Sequence, residues 1–165
     1  MNLKNAYFAG GCFWGVEHLF QQHPGVIDAE SGYMGGHLPN PTYEAVCQKN
    51  SGHLETVKVT YDAEKVSFAD LVKFFFEIHD FEQINGQGPD IGPQYLSAIF
   101  IQNEAEAKTV NQVMAQLKKM GYQPATQIIH ATNDKTPFYP AESYHQDYYQ
   151  KTGKQPYCHQ YCDIF

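Results

Sequence analysis

Tyr7-Phe8-Ala9-Gly10-Gly11-Cys12-Phe13-Trp14-Gly15-Val16 changes its periodicity halfway along. The apolar run Tyr7-Phe8-Ala9 reads as the end of a strand, and Phe13, Val16, Leu19 and Phe20 then recur at helical spacing. Gly10 and Gly11 form the hinge between the two. Cys12 therefore falls at a helix N-terminus or just before it. Unpaired backbone N–H groups there favour an anion, and so favour the thiolate. A cysteine beside aromatics is more often a buried structural thiol. The glycine hinge and the helix start outweigh that reading and point to a nucleophile facing a small apolar group.

Working outward, Lys4–Ala9 is the first strand, and Cys12 to about Gln22 the first helix, stopped by His23-Pro24-Gly25. Val26–Tyr33 reads as a second strand. A glycine- and proline-rich loop follows, and Tyr43–Cys47 reads as a short helical turn. Glu55, Val57, Val59 and Tyr61 alternate with Thr56, Lys58 and Thr60, which predicts a half-buried strand with a carboxylate on its apolar face. Ser67-Phe68-Ala69-Asp70 has capping-box spacing ahead of a stripe of Phe68, Leu71, Val72 and Phe75. Ala98–Ile101 is an apolar strand, buried on both faces if central. Asn103–Met120 is a helix with Ala107, Val110, Met114 and Leu117 inward and Gly121 as its stop. Thr126–Ala131 is a last strand, Ala141–Lys151 a short helix, and the tail from Thr152 is irregular.

The order is β-α-β-β-α-β followed by α and β. It predicts an α+β fold with a ferredoxin-like split βαβ core, a two-layer sandwich with long functional loops and an irregular C-terminal tail. A chain of 165 residues suits one domain, with its core over about 4–151 and a cysteine-bearing tail over 152–165. The formal net charge of -7 argues against a nucleic-acid partner. No apolar run is long enough to span a bilayer, and no leader pattern opens the chain. A soluble, cytoplasmic monomer is expected. Four cysteines are too few for a disulfide scaffold and suggest chemistry or metal binding.

Several other groups can do chemistry. Glu55, taken alone, reads as a solvated strand-end carboxylate. Among Val57, Val59 and Tyr61 it would be desolvated, which raises a carboxyl pKa and suits a general acid. Most of the 12 tyrosines must be packing. Tyr33, Tyr43 and Tyr95 stand out, and the last two lie in or beside the long loops, where phenols could donate to a developing oxyanion. Asp90 reads by default as a turn residue. Cys158 and Cys162 could reach an oxidised Cys12. A zinc site drawn from Cys158, His159, Cys162 and His145 competes with that reading, on looser than usual spacing. Cys47 reads as structural, and His18, His53 and His79 as packing or hydrogen-bonding residues.

Gly11-Cys12-Phe13-Trp14-Gly15 resembles the active-site motif of the A-type peptide-methionine (S)-S-oxide reductases. Gly32-Tyr33-Met34-Gly35-Gly36-His37, Pro39–Cys47 and Gly52-His53-Leu54-Glu55 resemble further blocks of that family, and the match reaches Tyr144-His145-Gln146. The resemblance implies Cys12 as nucleophile and Glu55 as the acid for the sulfoxide oxygen. It implies Tyr43 and Tyr95 as phenols bonded to that oxygen, Phe13 and Trp14 around the S-methyl group, and Asp90 in the substrate pocket. It implies Cys158, and after it Cys162, as recycling cysteines, thioredoxin as reductant, no metal and no organic cofactor. The preference for the S epimer comes from the resemblance alone. The chain departs from the family at Phe81, Pro89, Pro93 and Leu96, around Asp90 and Tyr95. Two rival classes stay open on the residues alone: a cysteine hydrolase or acyltransferase pairing Cys12 with a histidine, and a zinc-stabilised binding module.

Overall fold

The structure is a computed structural model that describes residues 1–48, 50–131, 136–157 and 159–165. In chain order the elements are β1 (Leu3–Gly10), α1 (Phe13–Gln21), β2 (Val26–Met34), α2 (Tyr43–Cys47), β3 (Leu54–Asp62), α3 (Phe68–Glu77), β4 (Gly86–Gln87) and β5 (Asp90–Ile91). They continue with β6 (Ser97–Ile101), α4 (Glu104–Lys119), β7 (Gln127–His130), β8 (Tyr139–Pro140) and α5 (Tyr148–Thr152). Single 3-10 turns cover Pro93–Tyr95 and Ser143–His145.

The main sheet has the strand order β7-β6-β1-β3-β2-β8. Its inner four strands, β6-β1-β3-β2, pair antiparallel throughout, which is the ferredoxin-like arrangement expected from the element order. β7 adds a parallel edge beside β6, and β8 adds a short antiparallel edge beside β2. All five residues of β6 are buried, as a strand inside the sheet requires.

Strand alternation divides the apolar side chains between two faces. Phe8 stands opposite Val57 on one side and Ile99 on the other, and Ala6 stands opposite Val59. These face the helices, with Phe13, Val16 and Phe20 from α1, Leu71, Val72 and Phe75 from α3, and Val110 and Leu117 from α4. The Phe8 ring stacks 5.0 Å from Phe20 and 5.1 Å from Phe75, tying the sheet to two helices. A smaller cluster of Ala9, Met34, Leu54, Ala98 and Phe100 fills the opposite face. Glu55 has the parity of Val57, so the sheet delivers its carboxyl to the helix side.

The helix boundaries follow the sequence signals. Ser67 and Asp70 form a complete capping box, and Asn103 caps α4 by accepting from the Glu106 N–H at 2.9 Å. Two details differ. In α4 it is Val113, rather than the half-buried Met114, that joins Ala107, Val110 and Leu117 in the core. The helix expected over Ala141–Lys151 is instead a 3-10 turn and the short α5, separated at Asp147, whose φ is +54. The break has a local cause: the Asp147 N–H donates to Glu17 Oε1 at 2.6 Å, and the Gln146 side chain bonds both backbone groups of Ser31. These tertiary bonds hold 146–147 in a conformation that a continuous helix would not allow.

Candidate active site

β1 ends at Gly10, and Gly11 turns the chain at a φ of +94, a conformation that disfavours any residue with a Cβ. Cys12 follows as the N-cap residue of α1, 6% exposed, at the positive end of the helix dipole. Cys12 thus lies at the helix start, where the glycine hinge predicted.

Glu55, 2% exposed, comes from β3 and pairs across the ladder with Tyr33 of β2. Its Oε1 accepts the backbone N–H of Phe13, the residue after Cys12, at 3.2 Å. Its Oε2 has no hydrogen-bond partner among the described residues. Burial pushes the carboxyl up to about 8; the Phe13 N–H works against this and the charge of Asp90 adds to it. Such a shift favours the carboxylic acid at neutral pH, with one oxygen bonded to the start of α1 and the other without a partner among the described residues.

Tyr43 opens α2, and Tyr95 closes the 3-10 turn before β6. Burial, and then the charge at Glu55, hold both phenols well above their usual range, so both stay proton donors. Asp90 and Cys12 also act on Tyr95. The structure therefore gathers Cys12, Glu55, Tyr43, Tyr95 and Asp90 into one electrostatic neighbourhood. The departures from the family pattern fit their turns. Pro89 sits in the turn joining β4 to β5, Pro93 is the first residue of the 3-10 turn that carries Tyr95, and Leu96 packs on the smaller core. Phe81, the fourth departure, is buried in the main core.

An aromatic wall borders this group. The Trp14 ring stacks on Tyr148 at 3.6 Å, and its Nε1–H donates to His145 Nδ1 at 2.9 Å. That bond places the imidazole proton on Nε2, which has no hydrogen-bond partner among the described residues. His145 in turn lies 4.4 Å from the Tyr43 ring and 5.1 Å from Phe13. Trp14 is half-buried; Phe13 is only 1% exposed and lies beneath Tyr33 and His145. Phe13 therefore forms the floor of the site and Trp14 its side.

Sequence reasoning missed several supports of this wall. Glu142 accepts the Tyr33 hydroxyl at 2.8 Å and the Tyr43 N–H at 3.0 Å, which fixes the start of α2. Tyr33, a candidate oxyanion donor in the sequence, is engaged there instead. Glu17 is buried and accepts from the Ser31 N–H and hydroxyl and from the Asp147 N–H, steering Tyr148 onto Trp14. Burial pushes its carboxyl up to about 7, against the pull of those three donors. Cys47, read as structural, has a thiol on which the neighbouring Tyr43 hydroxyl and the charge of Glu55 both act, while burial pushes it up. Its spacing of four from Tyr43 on one helix was the available signal. His145 and Tyr148 had only their place near the chain end to mark them.

The tail packs back on the domain. The Tyr157 hydroxyl donates to Asp90 Oδ2 at 2.6 Å, so Asp90 is more than a turn residue. His159 is buried against Gly10. Cys158, between them, lies outside the described residues. Cys162 is exposed, and its N–H donates at 2.7 Å to the carbonyl of Glu77, the last residue of α3. Glu77 Oε2 then accepts the N–H groups of Ile164 and Phe165 at 2.9 and 3.3 Å. Among the described residues no group of three His, Cys, Asp or Glu side chains is arranged to hold a metal ion. No described helix is long and apolar enough to cross a membrane.

The geometry is that of a thiol at a helix start, a protonated buried acid, two phenols and an aromatic wall. Known proteins resemble this chain over most of its length. A peptide methionine sulfoxide reductase MsrA of Thermus thermophilus is 44% identical over 154 residues, covering 93% of this chain and 85% of that protein. The reduced form of Mxr1 from Saccharomyces cerevisiae superposes with a TM-score of 0.89 at 32% identity, over 98% of this chain and 93% of its own. A structure of Mxr1 in complex with Trx2 shares the fold, with a TM-score of 0.64 at 22% identity, over 98% of this chain and 91% of its own. Residues 4–164 match the family described as peptide methionine sulfoxide reductase, and the chain belongs to that family, whose reaction is the thiol-dependent reduction of methionine sulfoxide.

Proposed function

We propose that this reaction runs in the chain through Cys12 as nucleophile and Glu55 as acid, on the S epimer of methionine sulfoxide, free or in peptides. The sulfoxide sulfur is electrophilic and its oxygen accepts protons. Cys12 sulfur attacks the sulfur, Glu55 passes its proton to the oxygen, and Tyr43 and Tyr95 donate hydrogen bonds to the charge that develops there. The S-methyl group packs against Trp14, with Phe13 beneath, and Asp90 borders the pocket. Methionine leaves, and Cys12 is left as a sulfenic acid, a reversible state.

The observation that carries this reading is the Glu55 carboxyl. It is held protonated by burial, one oxygen is tied to the residue after the nucleophile, and the other is unpartnered among the described residues. A structural carboxylate would have both oxygens satisfied.

Recycling follows from the sulfenic acid. The Cys158 thiol displaces water from Cys12 to form a disulfide, Cys162 accepts that disulfide and carries it outward, and the dithiol of a thioredoxin reduces it. The complex that Mxr1 forms with Trx2 supports thioredoxin as the class of reductant. The chemistry needs no metal or organic cofactor. The single domain, read as a core over about 4–151 with a tail over 152–165, is expected to act as a monomer in a reducing, cytoplasmic setting.

The test uses reduced protein with dithiothreitol and each separated sulfur epimer of a methionine sulfoxide peptide, reading methionine formed. Turnover of the S epimer alone is expected. Turnover of the R epimer, or of neither, would overturn the assignment.

A further inference from the structure

The scheme above gives no part to His159, although this is the most deeply buried described side chain of the tail, at 5% exposure. Its Nε2 lies 2.6 Å from the carbonyl oxygen of Gly10, a residue 149 positions away in sequence. A carbonyl only accepts, so Nε2 carries the proton and donates. Burial holds the imidazole below its ordinary range, which keeps it neutral with its proton on that nitrogen. The ring also covers Gly15 of α1. A Cβ on Gly15 would collide with Nδ1 and stand 2.8 Å from Cγ. Gly10 closes β1 and Gly15 lies in the first turn of α1, on either side of Cys12. The imidazole therefore grips both arms of the hinge that presents the nucleophile. On the other side of Cys158, Tyr157 is bonded to Asp90. Both neighbours of Cys158 in sequence thus have fixed partners in the site.

We propose that His159 is a positioning residue for the disulfide-forming step, its seat on Gly10 and Gly15 holding the tail so that the Cys158 thiol meets the Cys12 sulfenic acid. The proposal rests on the reading of Cys158 as the first recycling cysteine. The step is balanced: the Cys12 S–O bond breaks, the S–S bond forms, and the hydroxyl leaves with the thiol proton as water. The electron pair of the new bond comes from the Cys158 sulfur, and the resulting disulfide is later reduced by two electrons from the thioredoxin dithiol. A flexible tether alone supplies an effective concentration on the order of millimolar. A seated tail exceeds that, because its orientation is settled before the reaction.

The experiment mixes reduced protein with one equivalent of the S-epimer peptide and no reductant. Timed quenching with an alkylating agent, read by mass spectrometry, gives methionine formed and thiols lost in the same sample. His159→Ala and Gly15→Ala are each expected to lower the ratio of disulfide formation to methionine formation about tenfold. Alanine is a better helix former than glycine, so Gly15→Ala acts by filling the seat. His159→Gln, which keeps a donor at the same reach, restores most of the ratio, and His159→Asn does not. The double variant Gly15→Ala/His159→Ala is no slower than either single one, because both remove the same contact. An unchanged ratio in His159→Ala, or additive losses in the double variant, would overturn the proposal. Cys158→Ser separates the two layers. If it still forms the disulfide, the recycling reading fails; if it stops the disulfide while His159→Ala does not slow it, only the role of His159 fails.

Discussion

Cys12 and Glu55 are positioned by elements paired on both sides. β1 lies between β6 and β3, and β3 lies between β1 and β2. The tail from Lys154 to Phe165 contains no helix or strand among its described residues and is held by a few separate bonds: Tyr157 on Asp90, His159 on Gly10, and the N–H groups of Cys162, Ile164 and Phe165 on Glu77. Ladder bonds share their load with many neighbours, whereas each tail bond stands nearly alone. The contrast matches the chemistry proposed for each region. Attack and protonation need reacting atoms fixed to a fraction of an ångström. Recycling needs a segment that can pass a disulfide to a second protein, so it must be seated and also releasable. On that proposal, rigid chemistry is placed on the sheet and transferable chemistry on a strap.

The comparison breaks first at the nucleophile. Cys12→Ser is expected to abolish methionine formation with every reductant, since the nucleophile itself is gone. Residual turnover above about 1% of the parent, by chromatography of the product, would show that the thiol is not the rigid centre.

Glu55→Gln sharpens it next. Turnover is expected to fall about 100- to 1,000-fold, the range for a general acid. In the parent, a pH profile of turnover is expected to fall as pH rises through about 8, where the carboxyl loses its proton. The same burial has a stability consequence whose sign is opposite to that of a salt-bridged acid. The folded-state value lies above the ordinary 4.5, so its contribution is intact below about 4.5 and lost progressively as pH rises towards 8. Glu55→Gln removes that loss and is expected to gain roughly 2 kcal/mol at pH 8 in urea unfolding, with little gain at pH 4. A variant that is slower but no more stable at pH 8 would mean the carboxyl is not held protonated.

Tyr43→Phe and Tyr95→Phe are expected to cost about 10- to 100-fold each in kcat, with KM nearly unchanged, as donors to charge that develops only in the transition state. A rise in KM alone would make them binding residues. The smallest effect belongs to the strap. Glu77→Gln weakens two backbone bonds at the chain end and is expected to cost about 1 kcal/mol of stability. Thioredoxin-driven turnover should fall about threefold, and dithiothreitol-driven turnover should not. Equal losses with both reductants would erase the distinction between the two regions.

Local chemistry made much of this legible in the residues. A period change across two glycines placed Cys12 at a helix start. Alternation from Glu55 to Tyr61 put the acid on the buried face, and Ser67 with Asp70 marked the start of α3. The order of periodic segments was enough for the split βαβ core. What stayed hidden depends on partners far apart in sequence. The break at Asp147 is made by Glu17, 130 residues earlier. The Trp14–His145 bond spans 131 residues, and His159 reaches Gly10 across 149. Cys47 looked inert until the fold placed its thiol within the field of Glu55. Periodicity and capping are short-range and can be read along the chain. The burial that keeps Glu55 protonated, the wall around Trp14 and the seat of the tail exist only once the sheet has brought distant segments into contact.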